Sequence, residues 1–484
     1  MITWVKKQLR RLPPKSAFAH SVSVLVRGTA SAQVLLILAA PLLTRLYTPE
    51  DFGLLAVYAS LLAIIGVISS LRYELAIPLP EDDGEAATVA LLCLILVVIS
   101  TLFSALLVLL MGPVFAKALA VPTLAEYVWL LPLGVLITGF YTVSFYWALR
   151  RKLFTTIAVT KFQQAVAIVA IQLVAFKLGA FALLIGQTAG QALGVRRLGF
   201  PAITSGLFRN IKSSRIIKLA IQYKKFPAYS SWGGLLNVAG TQLLPLLLAP
   251  LFGPSAAGFY FLANRTIFLP SSVLQKAFSN VLLSSSDIKK DKDKYAALIC
   301  NTHRTLIKIS CPASLFIFVF SPHFFELLFG GVWVEAGVYA QWLSVMLFFQ
   351  FVSSPLTMVF HTLYRTELTL ISNGLLFLLR TTGILIGFQM ESALVAIILY
   401  SLLSSLGYLI FTLLSTSIAG INKLKLFHNY LVGAFLATIT LGPSVALLAA
   451  YGYSIYLLIA SLVILLIYYS YLYLNPSATH DHAH

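Results

Sequence analysis

Charge is scarce in this sequence: Asp, Glu, Lys and Arg make up 10% of its 484 residues, where a soluble domain carries about 25%. That scarcity excludes an ordinary soluble globular protein. Acidic residues are scarcest, 16 against 34 basic ones, which leaves little in the chain to attract organic cations. Cysteine is limited to Cys93, Cys300 and Cys311, each inside an apolar segment. They fit small core residues and exclude a disulfide or metal framework. No Walker A sequence is present, so this chain does not itself hydrolyse ATP, and neither H-E-x-x-H nor a paired-cysteine motif occurs. No cofactor is expected. Long polar connectors are missing apart from Arg197–Lys225, so no catalytic loop stands outside the apolar segments.

Apolar sequence fills the rest. Hydrophobic residues are 59% of the chain and mean hydropathy is +0.90, which predicts an all-α polytopic membrane protein. A span needs about 20 mostly apolar residues. About 14 transmembrane helices are expected, at 21–43, 52–77, 87–112, 124–149, 155–176, 178–196, 226–250, 256–283, 296–320, 336–362, 368–388, 393–418, 428–450 and 454–474. The first follows Lys6, Lys7, Arg10, Arg11 and Lys15 but is longer than a signal-peptide core, so it reads as an uncleaved span. The stretch Ser321–Trp333, rich in aromatics, is expected to form a short helix lying in the membrane interface.

Alternate connectors differ sharply in Lys and Arg. With a cytoplasmic N-terminus, 23 fall on the cytoplasmic side and three (Arg45, Lys117, Lys177) on the other, which predicts that both termini are cytoplasmic. The formal charge of +18 is thereby assigned to a membrane surface, and no nucleic-acid partner is expected.

A shift of 205 residues lays Leu42, Leu43, Leu46, Pro49 and Gly53 on Leu247, Leu248, Leu251, Pro254 and Gly258, with Tyr47 on Phe252. The chain therefore reads as two six-helix lobes in parallel repetition, with a central cavity between them. The expected organisation is a basic cytoplasmic arm (1–20), an N-lobe (21–196), a basic cytoplasmic linker (197–225), a C-lobe (226–418), a C-terminal helix pair (426–474) and a tail (475–484).

Eight cations remain inside expected spans: Arg27, Arg72, Lys161, Arg265, Lys276, Arg304, Lys308 and Arg380. A charge within a membrane costs roughly 3 kcal/mol, so such residues face a cavity, a partner or a pathway. Near a span end they reach the headgroups instead, a reading open for Lys161, Lys276 and Arg304, and also for Arg27 and Arg72. Helical spacing gathers polar residues into stripes: Ser23, Arg27 and Ser31 in span one; Asn301, Arg304 and Lys308 in span nine. Against these cations stands one deep carboxylate, Glu74, a candidate ion-pair partner or proton site. An interior so unbalanced suits an anion, and Arg27, Arg72, Arg265, Arg304, Lys308 and Arg380 are the candidate substrate-binding cations.

Pro41-Leu42-Leu43-Thr44-Arg45-Leu46-Tyr47-Thr48-Pro49-Glu50-Asp51-Phe52-Gly53, followed by Ser70-Leu71-Arg72-Tyr73-Glu74-Leu75-Ala76-Ile77, resembles the signature of bacterial polysaccharide transporters, the O-antigen and capsule oligosaccharide flippases. Leu328-Phe329-Gly330 with Trp333 and Gly337 is similar to the same family's loop before span ten. The superfamily includes multidrug exporters and lipid II flippases. The resemblance implies an inner-membrane flippase that moves undecaprenyl-pyrophosphate-linked oligosaccharide from the cytoplasmic to the periplasmic leaflet for O-antigen, capsule or exopolysaccharide biosynthesis. The implied partners are the lipid-linked oligosaccharide, the bilayer, and the polysaccharide polymerase and chain-length machinery. It also implies cavity-lining roles for Arg27, Arg72 and Arg265. A sodium or proton site does not carry over, because the carboxylates it would use are missing apart from Glu74. Two other readings stand beside it. A multidrug exporter is disfavoured by the excess of cations, and a membrane polysaccharide polymerase or ligase by the lack of a long catalytic loop; no enzymatic activity is expected.

Overall fold

The structure, a computed structural model, describes residues 17–118, 121, 123–204, 211–284, 292–362 and 366–474. The N-terminal arm before Ala17, Lys289, Lys290, Arg365 and the tail from residue 475 lie outside the described residues. Regular structure among the described residues is helical, without strands. The long helices are α1 (Ala17–Leu46), α2 (Pro49–Ile68), α3 (Asp83–Ala118), α4 (Leu130–Arg150), α5 (Phe154–Val174), α6 (Ala180–Thr204), α7 (Ser231–Phe252), α8 (Pro254–Ser284), α9 (Lys292–Phe329), α10 (Val334–Ser353), α11 (Thr366–Gln389), α12 (Ala393–Ile418), α13 (Lys423–Tyr451) and α14 (Ile455–Leu474). Each overlaps one of the intervals expected from apolar runs.

Among the described residues twelve of them, α1–α5, α7 and α9–α14, are long and apolar enough to cross a membrane. The two that fall short of the expected count are α6 and α8. In α6 the cause is a run of small and polar residues, Gly186-Gln187-Thr188-Ala189-Gly190-Gln191; in α8 it is Asn264, Arg265, Ser271, Ser272, Gln275 and Lys276. A second correction concerns Ser321–Trp333. No separate interfacial helix forms there, because α9 continues to Phe329 through Pro322. The Ser321 hydroxyl donates to the Gly337 carbonyl at 2.8 Å, and a Cβ at Gly337 would lie 2.6 Å from the Pro322 Cα. Backbone contact with α10 thus holds this turn in place, and Trp333 is buried.

The described residues up to Leu262 form one compact unit and those from Ala263 onward another, with the boundary inside α8. In the first, the signature segment is a helix start. Thr48 caps α2: its amide donates to Asp51 Oδ2 at 2.9 Å and its hydroxyl accepts from the Asp51 amide at 3.3 Å. Pro49 occupies the first turn, where its missing N–H costs nothing, and Glu50 and Asp51 suit the positive end of the helix. Tyr47 ties this corner to α5 by donating to the Gln172 carbonyl at 2.5 Å.

Gly186, Gly190 and Gly194 recur every fourth residue of α6, and Cβ atoms there would meet Gln172, Ile168 and Gln164 of α5. Small residues on one stripe let two helices approach closely within a membrane. The opposite composition marks α3, whose exposed Leu102, Phe103, Leu106, Leu109 and Leu110 form a lipid-facing side.

At the start of α8, positions matched by the 205-residue shift touch. A Cβ on Gly53 would strike the Pro254 carbonyl, and a Cβ on Gly258 would strike the Pro49 carbonyl. Glu50 and Ser255, again 205 residues apart, are joined by a hydrogen bond. The positions paired by the sequence shift are therefore in reciprocal contact.

In the second unit α9 is the common neighbour. Helix α10 packs on it near Pro322, and Gly433 of α13 approaches it so closely that a Cβ would clash with Ile307. Helices α11 and α12 pair through Gly383 and Gly387, where a Cβ would meet Leu399 and Ala396.

Candidate functional site

The expected cations divide between the two units. In the first, α1 carries Arg27 with its backbone tight against α5, since a Cβ on the adjacent Gly28 would lie 2.7 Å from the Ala158 Cα. The side chain of Arg27 lies outside the described residues.

The 52–77 interval places Arg72 and Glu74 in a helix crossing the membrane, but in the structure neither lies in one. Helix α2 ends at Ile68, and a 3₁₀ turn, Tyr73–Ala76, precedes α3. Leu71 and Arg72 have φ of 50° and 61°, a left-handed conformation that costs a non-glycine residue on the order of 1–3 kcal/mol. The surrounding contacts hold this reversal. The Tyr73 amide donates to the Ser70 carbonyl at 3.1 Å, and the Tyr73 hydroxyl donates to the Ala220 carbonyl at 2.9 Å. Ala220 belongs to the helix Ser213–Gln222 in the basic connector, which buries Leu219 against Ala87, Ala90 and Cys93 of α3.

Within that turn the Ser70 hydroxyl donates to Glu74 Oε2 at 2.6 Å, while Arg72 Nη1 is 3.6 Å from Glu74 Oε1. The first distance is a short hydrogen bond and the second is too long for one. Serine therefore serves the carboxylate, and the arginine is only loosely paired. Burial pushes the Glu74 carboxyl above the usual range for a glutamate; the Ser70 bond and the Arg72 charge act in the opposite direction and are smaller.

Arg72 retains donor capacity. Its Nε is buried without a hydrogen-bond partner. A Cβ on Gly234 of α7 would lie 3.2 Å from Nε and 3.3 Å from Cζ, so the guanidinium lies against a face of α7 left open by glycine. Gly234 and Ser70 were not expected from the sequence. A serine four residues before the one deep glutamate was a legible signal, and a glycine on another helix was not.

Close by, Asp83 at the start of α3 binds Arg150 at 2.9 Å and Arg151 at 2.8 Å, and Asp82 binds Arg215 at 2.9 Å. Arg150 and Arg151 come from one connector and Arg215 from another, both assigned to the same side by the charge count. Asp82 lies below the usual aspartate range because the Gly84 and Glu85 amides donate to it, with Arg215 adding a smaller effect.

In the second unit, Arg265 is half-buried on α8; Arg304 and the buried Lys308 lie one turn apart on α9, as the stripe in the sequence predicts. Arg380 is placed differently. Its Nε donates to the Ser404 hydroxyl at 3.3 Å and its Nη2 to the Tyr408 hydroxyl at 2.8 Å. The guanidinium also lies 5.7 Å and 5.6 Å from the ring centres of Tyr400 and Tyr408. Tyr400, Ser404 and Tyr408 follow one another by four residues on α12, so this cation joins α11 to α12.

Beside α9 is a cavity of about 340 Å³, lined by Thr266, Ile309, Ser314, Phe325, Leu347 and Tyr469 among others. Three hydroxyls on its wall, Ser271, Ser310 and Ser321, already donate to backbone carbonyls. Its character is accordingly apolar. Among the described residues no group of three His, Cys, Asp or Glu is placed to hold a metal ion.

A family described as "Polysaccharide biosynthesis protein" matches residues 42–338, more than half of the chain. The lipopolysaccharide biosynthesis protein WzxC of Escherichia coli (strain K12) is 27% identical over 170 residues, 35% of this chain and 35% of that protein. The match thus spans about a third of that relative's length. Two solved structures share the fold at 14% identity. The lipid II flippase MurJ in an inward closed conformation has a TM-score of 0.73 and covers 93% of this chain and 99% of its own. An inward-facing multidrug resistance MATE family transporter of the MOP superfamily has a TM-score of 0.60, with coverage of 86% and 98%. The matched residues 42–338 contain the capped hairpin, the Arg72 turn and the α8–α9 cations, and by that match the chain belongs to the polysaccharide biosynthesis protein family, on the fold of the MOP superfamily.

Proposed function

We propose that this protein is a flippase for undecaprenyl-pyrophosphate-linked oligosaccharide, moving it from the cytoplasmic to the periplasmic leaflet of the bacterial inner membrane by alternating access. In this reading all of α1–α14 cross the membrane, including the more polar α6 and α8. The helices form two six-helix lobes and a C-terminal pair, with both termini cytoplasmic. Family membership supports the pathway, and the names of the relatives, a lipopolysaccharide biosynthesis protein and a lipid II flippase, support the substrate class.

The observation that carries the reading is the Arg72 turn. A strained backbone holds an arginine whose Nε has no partner and whose one carboxylate neighbour is served by serine. Such a guanidinium suits a pyrophosphate, which accepts two parallel hydrogen bonds from one arginine. An anion leaving a negative interior also gains about 2.3 kcal/mol per charge per 100 mV. Outward movement therefore has a driving force without a coupled ion. The chemistry asked of the chain is transport alone, and the cation excess separates it from an exporter of organic cations.

The test is flipping of a fluorescent polyprenyl-pyrophosphate saccharide in proteoliposomes. Arg72→Ala and Arg27→Ala should each lower the rate at least about tenfold, the loss expected when one charge-assisted contact of ~1.5–3 kcal/mol disappears; the matching lysine variants should fall between. Wild-type rates from properly inserted Arg27→Ala and Arg72→Ala proteins would remove the cationic-cavity reading. Sugar transfer to a new acceptor by the purified protein would replace it with an enzymatic one.

A further inference from the structure

Pro312 interrupts α9 one turn beyond Lys308. Proline has no amide hydrogen, so the carbonyl four residues earlier, that of Lys308, loses its helical partner, and the ring crowds the same carbonyl. Within a membrane an orphaned carbonyl finds no water. Here it is served from another helix. The Tyr468 hydroxyl of α14 donates to the Lys308 carbonyl at 3.0 Å, and the Tyr469 hydroxyl donates to the next carbonyl, Ile309, at 2.7 Å.

The C-terminal pair is fitted to α9 over a longer stretch. Asn429 Nδ2 lies 3.2 Å from the buried His303 Nδ1, the Tyr430 ring is edge-on to His303 at 5.2 Å, and Gly433 closes on Ile307. Contacts from α13 thus follow one face of α9 at 303 and 307, while the hydroxyls from α14 take the carbonyl freed at 308 and the one after it at 309. The apolar cavity bordered by Ile309, Ala313, Ser314 and Tyr469 lies at the same break.

We propose that Tyr468 and Tyr469 are positioning residues. They hold the Pro312 break of α9 in one bend and so set the placement of Arg304 and Lys308; the functional part of this rests on the anion-binding reading of those two cations. The pair α13–α14 is then a latch on α9, and its docking is coupled to cation placement.

The test uses the full-length protein in nanodiscs, with spin labels introduced by Ala297→Cys and Leu327→Cys on a background where Cys93, Cys300 and Cys311 are replaced by alanine. Combining Tyr468→Phe with Tyr469→Phe removes two oxygen atoms and should shift or broaden the 297–327 distance distribution. It should also weaken binding of inorganic pyrophosphate roughly threefold to twentyfold, the span of measured hydrogen-bond contributions between membrane helices. Pro312→Ala restores the missing amide, so in that background the two phenylalanine substitutions should change neither quantity. An unaltered distance distribution, or the same alteration with and without Pro312, overturns the proposal. Lys308→Ala, scored for pyrophosphate binding in parallel, tests the anion reading by itself. If the distance responds to the hydroxyls while pyrophosphate affinity ignores both them and Lys308, the latch stands and the anion reading falls.

Discussion

Replacing Gly53 with alanine should destabilise this protein although alanine is the better helix former. In an open helix the exchange gains about 1 kcal/mol. Here the new methyl group would strike the Pro254 carbonyl and stand 3.2 Å from the Pro254 Cα. Both obstacles are backbone, so no rotamer relieves them and α2 must part from α8. Overpacking of this kind costs about 1–3 kcal/mol, and parting also threatens the neighbouring Glu50–Ser255 hydrogen bond. Set against the gain in propensity, a net loss of up to about 2 kcal/mol is expected. Gly258→Ala should behave alike, since its methyl would meet the Pro49 carbonyl and lie 2.9 Å from the Gly53 amide nitrogen. One displacement relieves both clashes, so the double variant should cost clearly less than the sum of the two. Reversible unfolding in mixed micelles, followed by tryptophan fluorescence, measures all three. A stabilising Gly53→Ala would refute the close approach, and full additivity would refute the shared displacement.

Two further expectations concern charge. The Glu74 carboxyl lies above its ordinary value, so the folded protein retains a proton that the unfolded chain has lost; stability should fall as pH rises from about 4.3 through the raised value. Glu74→Gln should flatten that part of the pH–stability curve, and an identical slope in the variant would show that the titrating group is elsewhere. Arg380→Met should lower stability by roughly 1–3 kcal/mol, because the hydroxyls of Ser404 and Tyr408 lose a charged donor. If its contacts with Ser404 and Tyr408 are its whole role, pyrophosphate binding should change little, and a loss of affinity without a loss of stability would keep Arg380 among the candidate substrate-binding cations.

Apolar runs made the long helices legible because a membrane segment must satisfy its own backbone and cover itself with hydrocarbon over about 20 residues. The polar residues of α6 and α8 leave these two outside the twelve apolar candidates among the described residues. The hairpin signature was recognised as a pattern, and its physical content emerged from the structure: Thr48 and Asp51 form a cap, Pro49 starts the helix, and Gly53 permits a backbone contact. Arg72 is expected within a span and lies in a left-handed turn instead. Nothing local announces that a leucine and an arginine will take positive φ, since that choice is made by Ser70, Tyr73 and Ala220 around them. Arg380 was read from its apolar neighbours in sequence, whereas its environment is a stripe of α12. Tyr468 and Tyr469 looked like ordinary apolar-segment tyrosines. Their role depends on a proline more than 150 residues earlier, a distance over which one sequence carries no visible coupling.

The reciprocal meeting of Gly53 with Pro254 and Gly258 with Pro49 has the geometry of a two-fold dimer interface, in which the same patch is used on both sides. In a true dimer every mutation appears twice and both halves of the contact change together. Covalent continuity removes that constraint. One half can be altered while the other is kept, and the Glu50–Ser255 bond already joins unlike residues at matched positions. The seam is thus a self-complementary surface set free to become asymmetric.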